Sequence, residues 1–118
     1  MSYKIFKIGE YIRRNLHKPP TKEMVCEKFS ITDYSLRKGF KENFGLNFGE
    51  YTRKHKIKTA ARLLHNSEKS ISAISECVGF RNHSRFAEAF KNQYGLSPKT
   101  FRDACKQSIS KLTRLPTC

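Results

Sequence analysis

Residues 78–98 read VGFRNHSRFAEAFKNQYGLSP, and residues 29–48 read FSITDYSLRKGFKENFGLNF. Set side by side, they are two copies of one plan. From Leu36 and Phe86 onward the offset is 50: Phe40-Lys41 aligns with Phe90-Lys91, Phe44-Gly45-Leu46 with Tyr94-Gly95-Leu96, and Tyr51 with Phe101. Upstream the offset is 49, pairing Val25 with Ile74, Glu27 with Glu76, Phe29 with Val78 and Ile31 with Phe80. The second copy therefore has one extra residue in its turn. Self-similarity at a fixed spacing marks a repeated supersecondary unit. Each copy predicts a short helix, a tight turn and a longer helix, which is the helix-turn-helix plan.

Working outward, Ile5, Ile8, Ile12 and Leu16, with Tyr11 beside them, recur at helical spacing and predict a first helix from Tyr3 to His17. Pro19-Pro20 stops it, because proline disfavours helical geometry in the residue before it. Thr21 is placed to cap a second helix carrying Met24, Val25 and Phe29. Thr32 is placed to cap a third, with Leu36, Phe40 and Phe44 inward and Gly45 ending it. Ile57, Ala60, Ala61 and Leu64 give a longer helix from Phe48 to Asn66 its apolar stripe, widened by Leu63. Ser70 begins the next helix, with Ile71, Ile74 and Val78 inside; Gly79 turns the chain. Asn82 caps a sixth helix bearing Phe86, Ala89-Phe90 and Tyr94, which Gly95 ends. Ser97-Pro98 opens a seventh, and the signals fade from Lys106. The fold class is all-α: seven helices forming two helix-turn-helix subdomains, 1–47 and 67–105, joined by a linker helix over 48–66. Residues 106–118 read as a flexible tail.

Charge narrows the function. The 118 residues hold 24 Lys and Arg against 10 Asp and Glu, a formal +14 with a sequence pI near 9.9. A small body this basic repels itself, so the excess answers a polyanion. Residues 1–50 carry a net +4 and residues 51–118 a net +10. No stretch approaches the roughly 20 apolar residues of a spanning helix, and Met1-Ser2-Tyr3-Lys4 leads straight into a charged amphipathic segment without a signal-peptide core. A cytoplasmic setting without membrane partners is expected. Cys26, Cys77, Cys105 and Cys118 form no C-x-x-C pair, and the spacings fit no zinc ribbon or finger. Cys26 and Cys77 fall on apolar faces and read as reduced core residues. His17, His55, His65 and His83 make no metal pattern, so no metal or cofactor is expected. An enzyme lacks its parts: there is no Gly-rich phosphate loop, acid–base pair or nucleophile constellation. A sequence-blind nucleoid or RNA-binding protein stays open on composition, since +14 attracts any polyanion.

The pattern Ala60-x-x-Leu63-Leu64, Ile71-x-x-Ile74, Gly79-Phe80-x-Asn82, Phe86-x-x-x-Phe90-Lys91-x-x-x-Gly95-x-Ser97-Pro98-x-x-Phe101-Arg102 resembles the AraC/XylS family of bacterial transcription regulators. The resemblance covers Tyr3 to Ala104. It implies seven helices in two subdomains bridged by a long helix, each offering one recognition helix to the DNA major groove, in an activator that engages RNA polymerase. It places base-facing positions at Tyr34, Arg37 and Lys38, and at His83, Ser84 and Ala87. Three residues depart from the family pattern. Lys56 stands where Arg is common, Ser30 replaces a turn glycine, and Glu88 occupies a position that is often basic. Many relatives carry an effector-binding or dimerising domain ahead of such a module. The chain either acts alone as a monomer, or is one end of a longer regulator and then a dimer.

The residues themselves give a compatible list. A recognition helix reads bases with exposed, polar residues early in its length. With Leu36 and Phe40 inward, Tyr34, Ser35, Arg37, Lys38 and Lys41 face out. Arg37 or Lys38 can donate to guanine O6 and N7, and Tyr34 can pack on a thymine methyl; the alternative for each is a phosphate contact or a solvated face, which is preferred for Lys41. In the sixth helix His83, Ser84, Arg85, Ala87 and Glu88 remain. Glu88 either accepts from cytosine N4 or pairs with Arg85. Phosphate clamping falls to helix N-termini and basic rims: Thr32, Asn82, Arg53, Lys54, Lys58, Arg62, Arg81, Lys99 and Thr100. A linker of 19 residues spans about 28 Å, against about 34 Å between successive major-groove segments on one face of B-DNA. One molecule is thus expected to read two adjacent segments of double-stranded DNA that bends, or to release one.

Overall fold

The computed structural model describes residues 2–114, with side chains placed as far as Lys106. The elements are α1 (Ser2–Arg14), α2 (Lys22–Phe29), α3 (Asp33–Phe44), α4 (Phe48–Asn66), α5 (Ile71–Cys77), α6 (His83–Tyr94) and α7 (Pro98–Arg114), with no strand among the described residues. The chain divides into two compact units, Met1–Lys56 and Ile57–Cys118, so the boundary falls inside α4. Cut there, the charge asymmetry seen in the sequence disappears. Thirteen basic residues face six acidic ones in the first unit and eleven face four in the second, a net +7 each.

In the first unit, Ile5, Ile8 and Ile12 of α1 are fully buried with Val25, Leu36 and Phe40, and Leu16, Ile31 and Tyr51 complete the core. The helix ends earlier than its apolar spacing predicts. After Arg14 the Lys18 amide donates to the Asn15 carbonyl at 3.2 Å, and the Asn15 amide side chain donates to the Tyr11 carbonyl at 2.8 Å. Leu16 still reaches the core from this turn. Thr21 caps α2, accepting from the Met24 amide at 3.2 Å.

In the second unit, Ile57, Ala60, Ala61 and Leu64 from the later half of α4 pack with Ile74, Val78, Phe86 and Phe90. The repeat read from the sequence is a repeat in space. Phe40, Phe44 and Tyr51 form an aromatic triangle with centroids 5.1, 5.2 and 4.5 Å apart. Phe90, Tyr94 and Phe101 form its counterpart at 5.0, 5.2 and 5.4 Å. Helix starts match too. Asn47 and Glu50 exchange backbone and side-chain hydrogen bonds at 3.0 and 2.9 Å to open α4. Ser97 opens α7 by accepting the Thr100 amide at 3.2 Å.

The turns of the two copies are built alike. The Ile31 amide donates to the Cys26 carbonyl and the Phe80 amide to the Ser75 carbonyl, each at 3.0 Å. This closure needs a left-handed residue just before. Gly79 supplies it at φ 82°, and Ser30 supplies it at φ 51° without being glycine.

Two expectations are corrected. Cys77 is exposed and Cys26 half-buried against the core. In repeat register Cys77 matches exposed Lys28, and the site of Cys26 is filled by Ser75, which is completely buried with its Oγ unpartnered. The last helix runs to Arg114, past the point where the sequence signals fade, and residues 115–118 of the expected tail, Cys118 included, lie outside the described residues.

Candidate nucleic-acid interface

Each longer helix of a repeat is fixed by a cap before it offers anything outward. Thr32 Oγ1 accepts the Ser35 amide at 3.1 Å, and Asn82 Oδ1 accepts the amides of Ser84 and Arg85 at 2.9 and 3.1 Å. Gly45 and Gly95 end the two helices at φ 72° and 77°. Thr32 and Asn82, expected at phosphates, are thus N-caps first. The Thr32 hydroxyl and the Asn82 amide nitrogen are what they have left to donate.

Leu36 and Phe40 anchor α3 in the core, and Phe86 and Phe90 anchor α6. This leaves the first turns exposed. On α3, Tyr34 is 65% exposed, Arg37, Lys38 and Lys41 are exposed, and Ser35 is half-buried. Arg37 Nε sits 3.0 Å from Asp33 Oδ2. Lys38 lies 5.9 Å over the Tyr34 ring and 4.0 Å from Glu42. On α6, His83, Ser84, Arg85 and Glu88 are exposed and Ala87 is half-buried. His83 Nδ1 is 3.5 Å from Ser72 Oγ of α5. Glu88 makes no ion pair with Arg85 among the described residues, so that alternative is not the one formed.

The remaining basic candidates are exposed within their own units: Arg53 and Lys54 in the first, Lys58, Arg62, Arg81 and Lys99 in the second. Thr100 is exposed, and its Oγ1 accepts from the Ser97 hydroxyl at 2.9 Å. Lys56 is half-buried, and burial pulls its ammonium below the ordinary lysine value. Sequence reasoning passed over two residues. Asp33 holds Arg37 and also lies 3.6 Å from Lys22 Nζ of α2; its i, i+4 spacing to Arg37 was the available signal. Arg102 donates from Nε to the Leu64 carbonyl and from Nη2 to the Ser67 carbonyl, both at 3.2 Å, tying α7 to the end of α4.

No helix among the described residues is long and apolar enough to cross a membrane, and no cluster of three His, Cys, Asp or Glu side chains there suits a metal ion. Each unit is basic and offers one exposed, capped helix.

Comparison with known proteins agrees. A family model described as a helix-turn-helix domain matches residues 25–104. The multiple antibiotic resistance protein MarA of Escherichia coli is 29% identical over 107 residues, covering 91% of this chain and 84% of its own. An AraC-type DNA-binding domain protein from Chromobacterium violaceum superposes with a TM-score of 0.84 at 21% identity, over 89% of this chain and 94% of that one. The DNA-binding domain of AdpA, a global transcriptional factor crystallised with a target DNA, shares the fold with a TM-score of 0.82 at 20% identity, over 89% and 95% of the two chains. With its family-model match spanning most of its length and its two helix-turn-helix copies in place, the chain belongs to the AraC/XylS family of DNA-binding transcription regulators, not to an enzyme family.

Proposed function

We propose that this regulator reads double-stranded DNA sequence-specifically with α3 and α6, each entering one of two adjacent major-groove segments, and that it activates transcription in the bacterial cytoplasm together with RNA polymerase. One observation carries the reading. Both helices are locked by an N-cap and two buried aromatic or aliphatic anchors, and both leave a polar, exposed first turn. In α3 the base readers are Tyr34, Arg37 and Lys38, with Ser35 beside them. In α6 they are His83, Ser84, Arg85 and Ala87, with Glu88 reading cytosine N4. Arg53, Lys54, Lys58, Arg62, Lys41, Arg81 and Lys99 supply the sequence-blind attraction, with Thr32, Asn82 and Thr100 at helix starts. AdpA, of like fold, was crystallised with a target DNA, and MarA, of like sequence, is named for antibiotic resistance.

Selection of bound duplexes from a random-sequence pool tests this. Enrichment of an asymmetric site with two blocks about one helical turn apart is expected, and binding should survive excess random DNA. A pool that emerges unenriched overturns the proposal in favour of a sequence-blind binder.

A further inference from the structure

We propose that Asp33 is a positioning and specificity-determining residue for DNA reading by α3, an inference that rests on α3 being a major-groove reader. Asp33 is the first helical residue, where any carboxylate is favoured by the helix dipole. Its two oxygens do something more particular. Oδ1 lies 3.6 Å from Lys22 Nζ on α2, and Oδ2 lies 3.0 Å from Arg37 Nε on α3 itself. All three side chains are about half exposed, between 43% and 60%, so the pairs contribute little to folding. Their consequence falls on what Arg37 can touch.

Arg37 is held through Nε, which leaves both terminal amino groups to another acceptor. A guanine presents O6 and N7 side by side, and a guanidinium fork matches them with two donors. Holding the inner nitrogen restricts the fork before DNA arrives and lowers the ordering cost of that contact. The same carboxylate acts against random DNA. It engages the Arg37 guanidinium, which would otherwise answer a phosphate, and its own charge repels phosphate oxygens. Asp33 thus strengthens the matched contact and weakens the unmatched one, which is specificity by both routes.

The test compares a duplex selected from a random pool by the wild-type chain with a scrambled duplex of the same composition, by fluorescence anisotropy across a salt series. Asp33→Asn should weaken the selected duplex and tighten the scrambled one, so that their affinity ratio falls about tenfold. The salt slope on scrambled DNA should rise by about one as Arg37 is released to a phosphate. Reselection with Asp33→Asn should relax the base pair whose preference Arg37→Lys also changes. Lys22→Met removes the tie to α2 but leaves the Arg37 pair, and should keep the wild-type ratio. Asp33→Asn with a wild-type ratio and preference overturns the inference. So does an equal fall of the ratio in Lys22→Met, which would assign Asp33 to holding α2 against α3. A wild-type chain that does not distinguish the two duplexes overturns the reading of α3 itself.

Discussion

Gly39 lies so close to Ile5 that a methyl group on it would overlap Ile5 Cγ1 and Cδ1. α1 and α3 meet there backbone to side chain, and Ile5 is fully buried with nowhere to swing. Gly39→Ala gains helix propensity but overpacks the core, for a net loss of about 1–3 kcal/mol in urea unfolding. Combined with Ile5→Ala, part of that loss should return, because the two changes share one space. Strictly additive losses in the double mutant would contradict the overlap.

Ser30 adopts the left-handed conformation that its counterpart Gly79 adopts freely. A side chain there costs about 1–2 kcal/mol, and glycine returns some of this as unfolded-chain entropy. Ser30→Gly should therefore raise stability by about 0.5–1 kcal/mol with DNA affinity unchanged. A less stable variant would mean the serine hydroxyl contributes more than its backbone loses.

Ser75 carries a fully buried hydroxyl without a hydrogen-bond partner among the described residues. Ser75→Ala keeps the shape and removes the desolvated group, so a gain of about 1 kcal/mol is expected. Calorimetric melting checks it, and a lower melting temperature would refute it.

Tyr51 titrates above the usual tyrosine value of 10.0 because burial disfavours its phenolate, an effect partly offset by Arg13. The unfolded chain then loses this proton first as pH rises. Its contribution to stability is complete below pH 10.0 and lost as pH climbs through the folded value. Unfolding free energies measured from pH 8 upward should fall away more steeply in wild type than in Tyr51→Phe above about pH 10. Parallel curves would show that the phenol titrates alike in both states.

Arg37→Ala should cost about 1–3 kcal/mol on a selected site and relax base choice at one position, whereas Lys54→Ala should weaken all duplexes alike and reduce the salt slope by about one. Uniform weakening by Arg37→Ala would make it a phosphate contact. An unchanged slope for Lys54→Ala would place that lysine outside the interface.

Helix starts and stops were readable because caps are local chemistry. Thr21, Thr32, Ser70 and Asn82 each accept the amide their spacing indicates, and Gly45 and Gly95 end helices as glycines at positive φ. The internal repeat was readable because it preserves side-chain size: Tyr51 and Phe101 close the same triangle. Cys77 was misplaced because apolar spacing alone cannot choose between neighbouring helix faces, although the repeat register pairs it with exposed Lys28. The exposed turns of α3 and α6 followed from their anchors, Leu36, Phe40, Phe86 and Phe90. The tie from Asp33 to Lys22 did not, since it joins two helices through the fold rather than along the chain.

Arg102 grips carbonyl oxygens of residues 64 and 67 rather than anything peculiar to leucine or serine. Every amino acid brings the same oxygen, so the guanidinium makes no demand on either side chain. The Ser67 hydroxyl is engaged elsewhere, donating to the Leu63 carbonyl at 2.7 Å and so holding the turn that presents its own carbonyl. The burden of constancy falls on one guanidinium: its replacement by lysine, with a single point of attachment, would leave one of those two oxygens unheld.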